Sequence, residues 1–310
     1  MLNKKIAIVG FGAHVKKNIL PILERMGVHV KSVVVRVPHP SHLLFNFDFT
    51  TNFSDVLNDD EIEFIYVATP ISTHYEIVKL GLESNKNILC EKPLTFDVDK
   101  AKELFDLAKE SNCILKEVMM YKYHTQFFTL NELVKSNEFG RMISINAKFM
   151  IPHLEYNNIR YDLEKNGGAL LDVGYYPISG IQSLLSNYKL DYSIIKGGLG
   201  YEVDLNGIAV FSNEDVYAIA QWAIGSAYKN EIVIEFEKAR IVVERAFSKP
   251  ETFQSNIKIY FSNGDEKKLV INPCSHFEQE FKLFLNGKVN KNHNNEVINR
   301  IAIFNSILKY

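Results

Sequence analysis

The β-rich run 5–9 ends directly on Gly10-Phe11-Gly12-Ala13-His14-Val15, and the stretch 15–26 beyond it has helical spacing. A strand that hands over to a helix through two glycines one residue apart leaves few folds open. The first glycine permits the tight turn, and the second lets backbone approach a pyrophosphate lying at the helix N-terminus. Gly10, Phe11, Gly12, Ala13 and His14 are therefore candidate cofactor contacts. A third small residue usually lets helix and strand pack closely; here that position is Val15. Standing alone, the motif reads better as a plain tight turn.

The rest of the first 120 residues supports the stronger reading. Runs 30–35, 63–68, 87–90 and 113–118 are strand-like, and 74–84 and 97–111 are helical, the latter with Asp97 as N-cap. Strands apolar on both faces and alternating with helices predict a doubly wound parallel sheet. The pattern changes near Tyr123. Helices are expected at 126–136 and 169–185, around a strand at 142–150. Short strands come next at 192–196, 207–211, 216–222, 231–236, 240–244, 257–261 and 268–271. Two helices, 276–285 and 296–308, close the chain. The expected organisation is an α/β dinucleotide-binding domain over 1–122. An α+β domain with an open, mostly antiparallel sheet would occupy 123–310.

Composition narrows the function classes. A net charge of −2 and a pI of about 6.5 give no positive field for nucleic acid or an anionic membrane. No apolar run has membrane-spanning length. The three cysteines, Cys90, Cys113 and Cys274, are odd in number and far apart, which fits a reducing, cytoplasmic compartment. No histidine–cysteine spacing points to a metal.

Three further constellations carry chemistry. After the second strand comes Val35-Arg36-Val37-Pro38, with no carboxylate before Asp48. A guanidinium there suits a 2′-phosphate, so Arg36 favours NADP over NAD; a solvent-exposed arginine is the plainer reading. After strand 87–90 comes Glu91-Lys92-Pro93-Leu94-Thr95. A lysine at such a strand end can stabilise negative charge developing on a substrate oxygen. Third is Gly167-Gly168-Ala169-Leu170-Leu171-Asp172-Val173-Gly174-Tyr175-Tyr176-Pro177. Asp172 and Tyr176 stand one helical turn apart, and a neighbouring ammonium would favour the Tyr176 phenolate. Lys92, Tyr176 and Asp172 are the candidate catalytic residues. Tyr175 competes with Tyr176, and both tyrosines also suit packing.

Taken together, the glycine turn, Ala68-Thr69-Pro70 with His74, the Glu91–Thr95 run, residues 117–124 and the run from Gly167 to Pro177 resemble the glucose–fructose oxidoreductase / inositol dehydrogenase (Gfo/Idh/MocA) family. The resemblance implies a Rossmann domain and a second domain whose open sheet often forms the dimer contact. It implies Lys92 as the family's lysine and Tyr176 at the position held by histidine or tyrosine, as in the dihydrodiol dehydrogenase-like branch. It also brings Thr69, Pro70, His74 and Glu91 to the cofactor. Lys122 stands where many members have arginine. A weaker likeness covers 201–250: Val203-Asp204, Ala220-Gln221-Trp222, Gly225 with Tyr228, and Glu244-Arg245-Ala246-Phe247-Ser248-Lys249-Pro250 resemble nucleotide-linked hexose 3-ketoreductases. That likeness implies NADPH-dependent reduction of a sugar ketone at C3. Within it, Arg245 reads either as a sheet-edge charge or as part of a diphosphate contact. The alternatives are an NADP-dependent dehydrogenase of free sugars or trans-dihydrodiols and, in another class, a non-catalytic dinucleotide-sensing regulator.

Overall fold

A computed structural model describes residues 4–37, 45–198 and 200–309. Pro38 of the Arg36 turn lies outside them. The chain forms two compact units. One comprises Met1–Met120 with Phe277–Ile301, and the other Tyr121–His276 with Ala302–Tyr310. The expected division at 122/123 falls near the first crossing, but it assigned the whole C-terminus to the second domain. Residues 277–301 instead cluster with the first.

The first unit is built on six parallel strands: β1 Lys5–Val9, β2 His29–Val34, β3 Asp48–Thr50, β4 Phe64–Val67, β5 Asn87–Cys90 and β6 Leu115–Glu117. Their order, β3-β2-β1-β4-β5-β6, reverses direction between β1 and β4, where ligands of such sheets bind. All four residues of β4 are buried, as two-sided coverage demands. On one face Val78 and Leu82 of α3 (His74–Glu83) and Ala101 and Leu104 of α4 (Val98–Glu110) share a core with Val297 and Ile301. On the other, Val15, Ile19 and Leu23 pack with Phe281, Phe284 and Leu285.

The helix after the glycine turn departs from the single span expected. Residues Val15–Ile19 form a π-helical turn that runs into α1, Leu20–Arg25. Pro21, in the first turn of α1, has no N–H to offer an earlier carbonyl, so the bonding pattern resets there. Edge strand β3 and the short helix α2, Phe53–Leu57, were not foreseen. Asp97 caps α4 as expected, its carboxylate accepting from the amides of Asp99 and Lys100.

The second unit carries an eight-stranded sheet. Its strands are β7 Met142–Ile151, β8 Lys189–Gly197, β9 Asp204–Ser212, β10 Tyr217–Ile224, β11 Lys229–Phe236, β12 Ala239–Glu244, β13 Ser255–Phe261 and β14 Glu266–Ile271. They lie in the order β14-β13-β12-β11-β7-β10-β9-β8. Every pairing is antiparallel except β7 with β10. Helix α6, Tyr175–Leu184, lies against this sheet so closely that a Cβ on Gly174 would stand 3.0 Å from the Trp222 ring. The other helix of this unit's N-terminal part is α5, Thr125–Lys135. Two helices close the chain, α7 His276–Leu285 and α8 His293–Leu308. No helix among the described residues is long and apolar enough to cross a membrane.

Candidate active site

In the first unit, Gly10 has φ +101°, and a Cβ there would stand 2.6 Å from the Ala68 carbonyl oxygen. Glycine is thus required twice, for the backbone angle and for the turn after β1 to touch the turn after β4. Gly12 is the opposite case. A Cβ there would meet nothing within 4 Å, so the backbone fronts open space at the start of a helix. Room for an anion at the start of a helix fits a dinucleotide pyrophosphate.

His14 ties this turn to the one after β5. Its Nε2 lies 3.1 Å from Glu91 Oε1 and 3.2 Å from the Tyr66 hydroxyl, which itself donates to Glu91 at 2.5 Å. Asn18 Nδ2 stands 3.0 Å from His14 Nδ1. Burial alone would raise the Glu91 carboxyl. The hydrogen bond and charge of His14, the Tyr66 hydroxyl and the Lys92 charge outweigh it and hold Glu91 below its usual range. The buried Tyr66 phenol is pushed well up, by burial first and by the Glu91 charge second. Glu91 and His14 therefore face one another. Phe11 turns its ring into an edge-on cluster with Phe45, Phe47 and Phe49, leaving its backbone for the turn.

His74, placed at the cofactor by resemblance, is 1% exposed. Its Nδ1 lies 2.8 Å from the Pro93 carbonyl oxygen and its Nε2 2.9 Å from that of Thr69. Burial holds the ring below an ordinary histidine value against those two bonds. Its place is behind the turns after β4 and β5, joining them. Thr69 and Pro70 occupy the first of these turns, with the Thr73 hydroxyl donating to Thr69 Oγ1 at 2.8 Å. Half-buried Lys92 occupies the second, where the Lys92–Pro93 peptide is cis. The Leu94 amide donates to Glu117 Oε2 at 2.8 Å, and Glu117 Oε1 accepts from Arg300 Nη2 at 2.6 Å. That carboxylate and guanidinium are both buried. Arg36 is exposed and lies two residues beyond the end of β2.

In the second unit, Asp172 belongs to a π-helical turn, Leu170–Gly174, and Tyr176 to α6 just after it. The uniform helix expected over 169–185 is interrupted there. Pro177 in the first turn of α6 removes a donor, as Pro21 does in α1. Asp172 Oδ2 accepts from Arg160 Nε, and the Asp172 charge is the main reason the Arg160 guanidinium is held above its usual value. Burial opposes this, and the nearby Tyr176 and Tyr161 phenols support it. Tyr176 sits among the rings of Phe149, Phe247 and Tyr121, with centroids 5.2, 6.1 and 6.3 Å away. Tyr175, the competing tyrosine, is fully buried against Phe304 at 4.9 Å and is a core residue. Lys122 is half-buried in the 3₁₀ turn Met120–Tyr123.

Two residues at this site were not singled out from the sequence. Arg160 gave no signal, being one charge in a polar loop. Asp204 entered only within a likeness. A Cβ on Gly168, at φ +115°, would collide with the Asp204 carboxylate. Asp204 Oδ2 accepts the Leu170 amide at 2.7 Å, and burial, opposed by that bond, pushes its carboxyl up to about 6. The double glycine could have pointed to it, since such a pair needs something to lie against.

Residues 4–118 match the oxidoreductase family with an NAD-binding Rossmann fold, Gfo/Idh/MocA, and residues 127–263 match the C-terminal domain of the same family. The chain belongs to this family. It is an oxidoreductase acting on CH–OH and C=O groups, as the resemblance implied. The dTDP-3,4-didehydro-2,6-dideoxy-α-D-glucose 3-reductase of Saccharopolyspora spinosa is 28% identical over 281 residues, 87% of this chain and 82% of its own. A D-xylose 1-dehydrogenase (NADP(+)) of Haloferax volcanii is 32% identical over 136 residues, 43% and 41% of the two chains. Among solved structures, the 3-ketoreductase KijD10 of Actinomadura kijaniata, in complex with NADP and TDP-benzene, superposes with a TM-score of 0.92. It is 23% identical and covers 99% of this chain and 97% of its own.

Proposed function

We propose that this chain is an NADPH-dependent reductase of the C3 ketone of a nucleotide-linked deoxysugar. The observation that carries the reading is the relative named as a 3-reductase, whose match extends over 87% of the chain, whereas the xylose dehydrogenase covers less than half. The open ground before Gly12 takes the pyrophosphate and Arg36 the 2′-phosphate. When bound, the dihydronicotinamide supplies hydride to the carbonyl carbon. Lys92 donates a hydrogen bond to the carbonyl oxygen and stabilises the negative charge that grows there. The Tyr176 hydroxyl delivers the proton to that oxygen, and the phenolate left behind is stabilised by the nearby Arg160 guanidinium. Asp172 fixes Arg160 in place. KijD10 was also solved with a tyrosine replaced by phenylalanine and with a lysine replaced by alanine or glutamate, which supports a lysine and a tyrosine as the pair to test.

A second reading, an NADP-dependent dehydrogenase of free sugars, is favoured by the xylose dehydrogenase likeness. NADPH oxidation against nucleotide-linked 3-keto sugars and their nucleotide-free counterparts separates the two. We expect turnover to fall steeply when the nucleotide is removed; equal rates would sink the leading reading. We further propose a cytoplasmic enzyme, supported by three free cysteines, and a homodimer formed through the open sheet. Support for the latter is a stripe of facing residues, Tyr192, Val210, Ile219, Asn146, Val233 and Val242, one on each of six of the eight strands.

A further inference from the structure

The turn that follows β12 holds an arginine in an unusual state. Among the described residues six non-glycines have positive φ; five are asparagines and the sixth is Arg245, at +52°. Asparagine tolerates this region because its short side chain can bond locally, whereas arginine has no such relief. Strain of this kind persists only where the surroundings over-determine it, and it gathers at ligand sites. Here the surroundings are explicit. Buried Gln126 donates through Nε2 to the carbonyls of Glu244, at 3.0 Å, and Asn256, at 2.9 Å. Buried Asn230 accepts the Phe247 amide at 2.9 Å and donates to the Ser248 carbonyl at 2.9 Å. Lys249 Nζ donates to the Ala246 carbonyl at 3.2 Å. Three buried polar side chains thus grip the backbone on both sides of Arg245.

The guanidinium is held as firmly. Its central carbon lies 4.6 Å from the centre of the Tyr228 ring and 5.6 Å from that of Phe253, and Nη1 donates to the Tyr228 hydroxyl at 3.3 Å. The same hydroxyl receives a bond from Asn230 Nδ2 at 3.1 Å. Arg245 forms no ion pair among the described residues. The adjacent carboxylate, Glu244, is taken by Lys258 at 2.9 Å. Two aromatic rings beside the guanidinium carbon hold it in place, and a guanidinium has five N–H donors, more than the one bond to Tyr228 uses. The position also relates to Tyr176. Phe247, two residues on, packs 6.1 Å from the Tyr176 ring, and Phe149 links Tyr176 to Tyr228 at 5.2 and 6.5 Å.

We propose that Arg245 is the receptor for the substrate's diphosphate, the group a nucleotide-linked sugar carries next to its anomeric carbon. This rests on the nucleotide-sugar reading above. A planar fork pre-oriented by two rings matches paired phosphate oxygens in a way a flexible lysine does not. The cofactor's phosphates offer the same chemistry, so the test separates the two sources.

Calorimetric titration of the full chain with thymidine diphosphate, inorganic pyrophosphate, thymidine and NADPH is compared for the wild type, Arg245→Asn and Arg245→Lys. Asparagine is what the chain uses at its other left-handed positions, so folding is preserved, and an unchanged or higher Tm checks this. Thymidine diphosphate and pyrophosphate affinity should fall about tenfold or more in Arg245→Asn and partly recover in Arg245→Lys, while thymidine and NADPH affinity hold. Unchanged diphosphate affinity overturns the proposal while leaving the nucleotide-sugar reading standing. A loss confined to NADPH assigns the arginine to the cofactor and overturns it too. If the wild type binds pyrophosphate through Arg245 but binds no thymidine diphosphate, the nucleotide-sugar reading fails and the proposal that rests on it fails with it.

Discussion

The two units hold their candidate residues by opposite means. In the first, the turns that bear Gly10 and Lys92 are fixed from behind by buried polar groups: His74 between two carbonyls, and Glu117 between the Leu94 amide and Arg300. Lys116 pairs with Glu280 at 3.2 Å in the same interior, and Glu280 accepts the Met119 amide. In the second, Tyr176 and Arg245 are held by rings, with neutral amides doing the bonding. A charge pair in a dry interior stabilises little as a unit, but removing one member leaves the other uncompensated. Aromatic packing instead fails gradually, through lost contact area. The first arrangement is brittle and exact in geometry; the second tolerates change and leaves Arg245 without an ion pair among the described residues.

Four experiments bear on that contrast. The largest effect is expected from Lys92→Ala, which should lower kcat by about 10²–10⁴-fold. NADPH affinity and Tm should stay near wild type, because the turn is held by Glu117 and not by its lysine. Near-normal turnover would remove Lys92 from the chemistry. Next, Arg300→Leu should destabilise by about 3–5 kcal/mol in urea unfolding, and pairing it with Glu117→Leu should recover much of the loss. A cost under about 1 kcal/mol would mean that buried charge is not what secures the β5 turn.

Lys249 offers the inverse case, a buried cation in the second unit. Burial, opposed by nearby Cys274, pushes its ammonium down to about 7 from an ordinary 10.5. Between those values the unfolded chain binds a proton that the folded chain does not, so stability rises with pH across that window and is flat below it. Lys249→Met should abolish the slope, worth on the order of a few kcal/mol over the window, and raise Tm at pH 7. An unaltered slope would show that another group titrates. The smallest effect is expected from Arg36→Asp, which should weaken NADPH about tenfold more than NADH. Equal losses would leave cofactor preference unexplained by the residue after β2.

The sequence was most legible where structure is local. Strand 87–90, the Asp97 cap and the glycine turn are each specified within a few residues, by burial on both faces, a side-chain oxygen and a backbone angle. Strand β3 was invisible because three residues at a sheet edge, none of them buried, carry no periodicity. The closing helices were found, but residues 277–301 of that segment cluster with the first unit and 302–310 with the second, since an amphipathic face does not say which core it covers. At the site, Lys92 and Tyr176 stand out by motif. Arg160, twelve positions before the carboxylate it pairs with, does so only once the loop is folded. His74 shows the same limit from the other side: its motif is plain, but that it faces two carbonyls rather than a ligand is a tertiary fact.

The return of residues 277–301 to the first unit also sets an order on synthesis. A ribosome finishes every strand of both sheets before it makes the segment that closes the first. A nascent chain stopped at Met120 would hold Glu117 without Arg300 and Lys116 without Glu280, with Phe64 and Tyr66 lacking Phe284 and Phe281 as neighbours. The nucleotide-binding half is thus begun first, yet it is completed only after every strand of the other unit has been made.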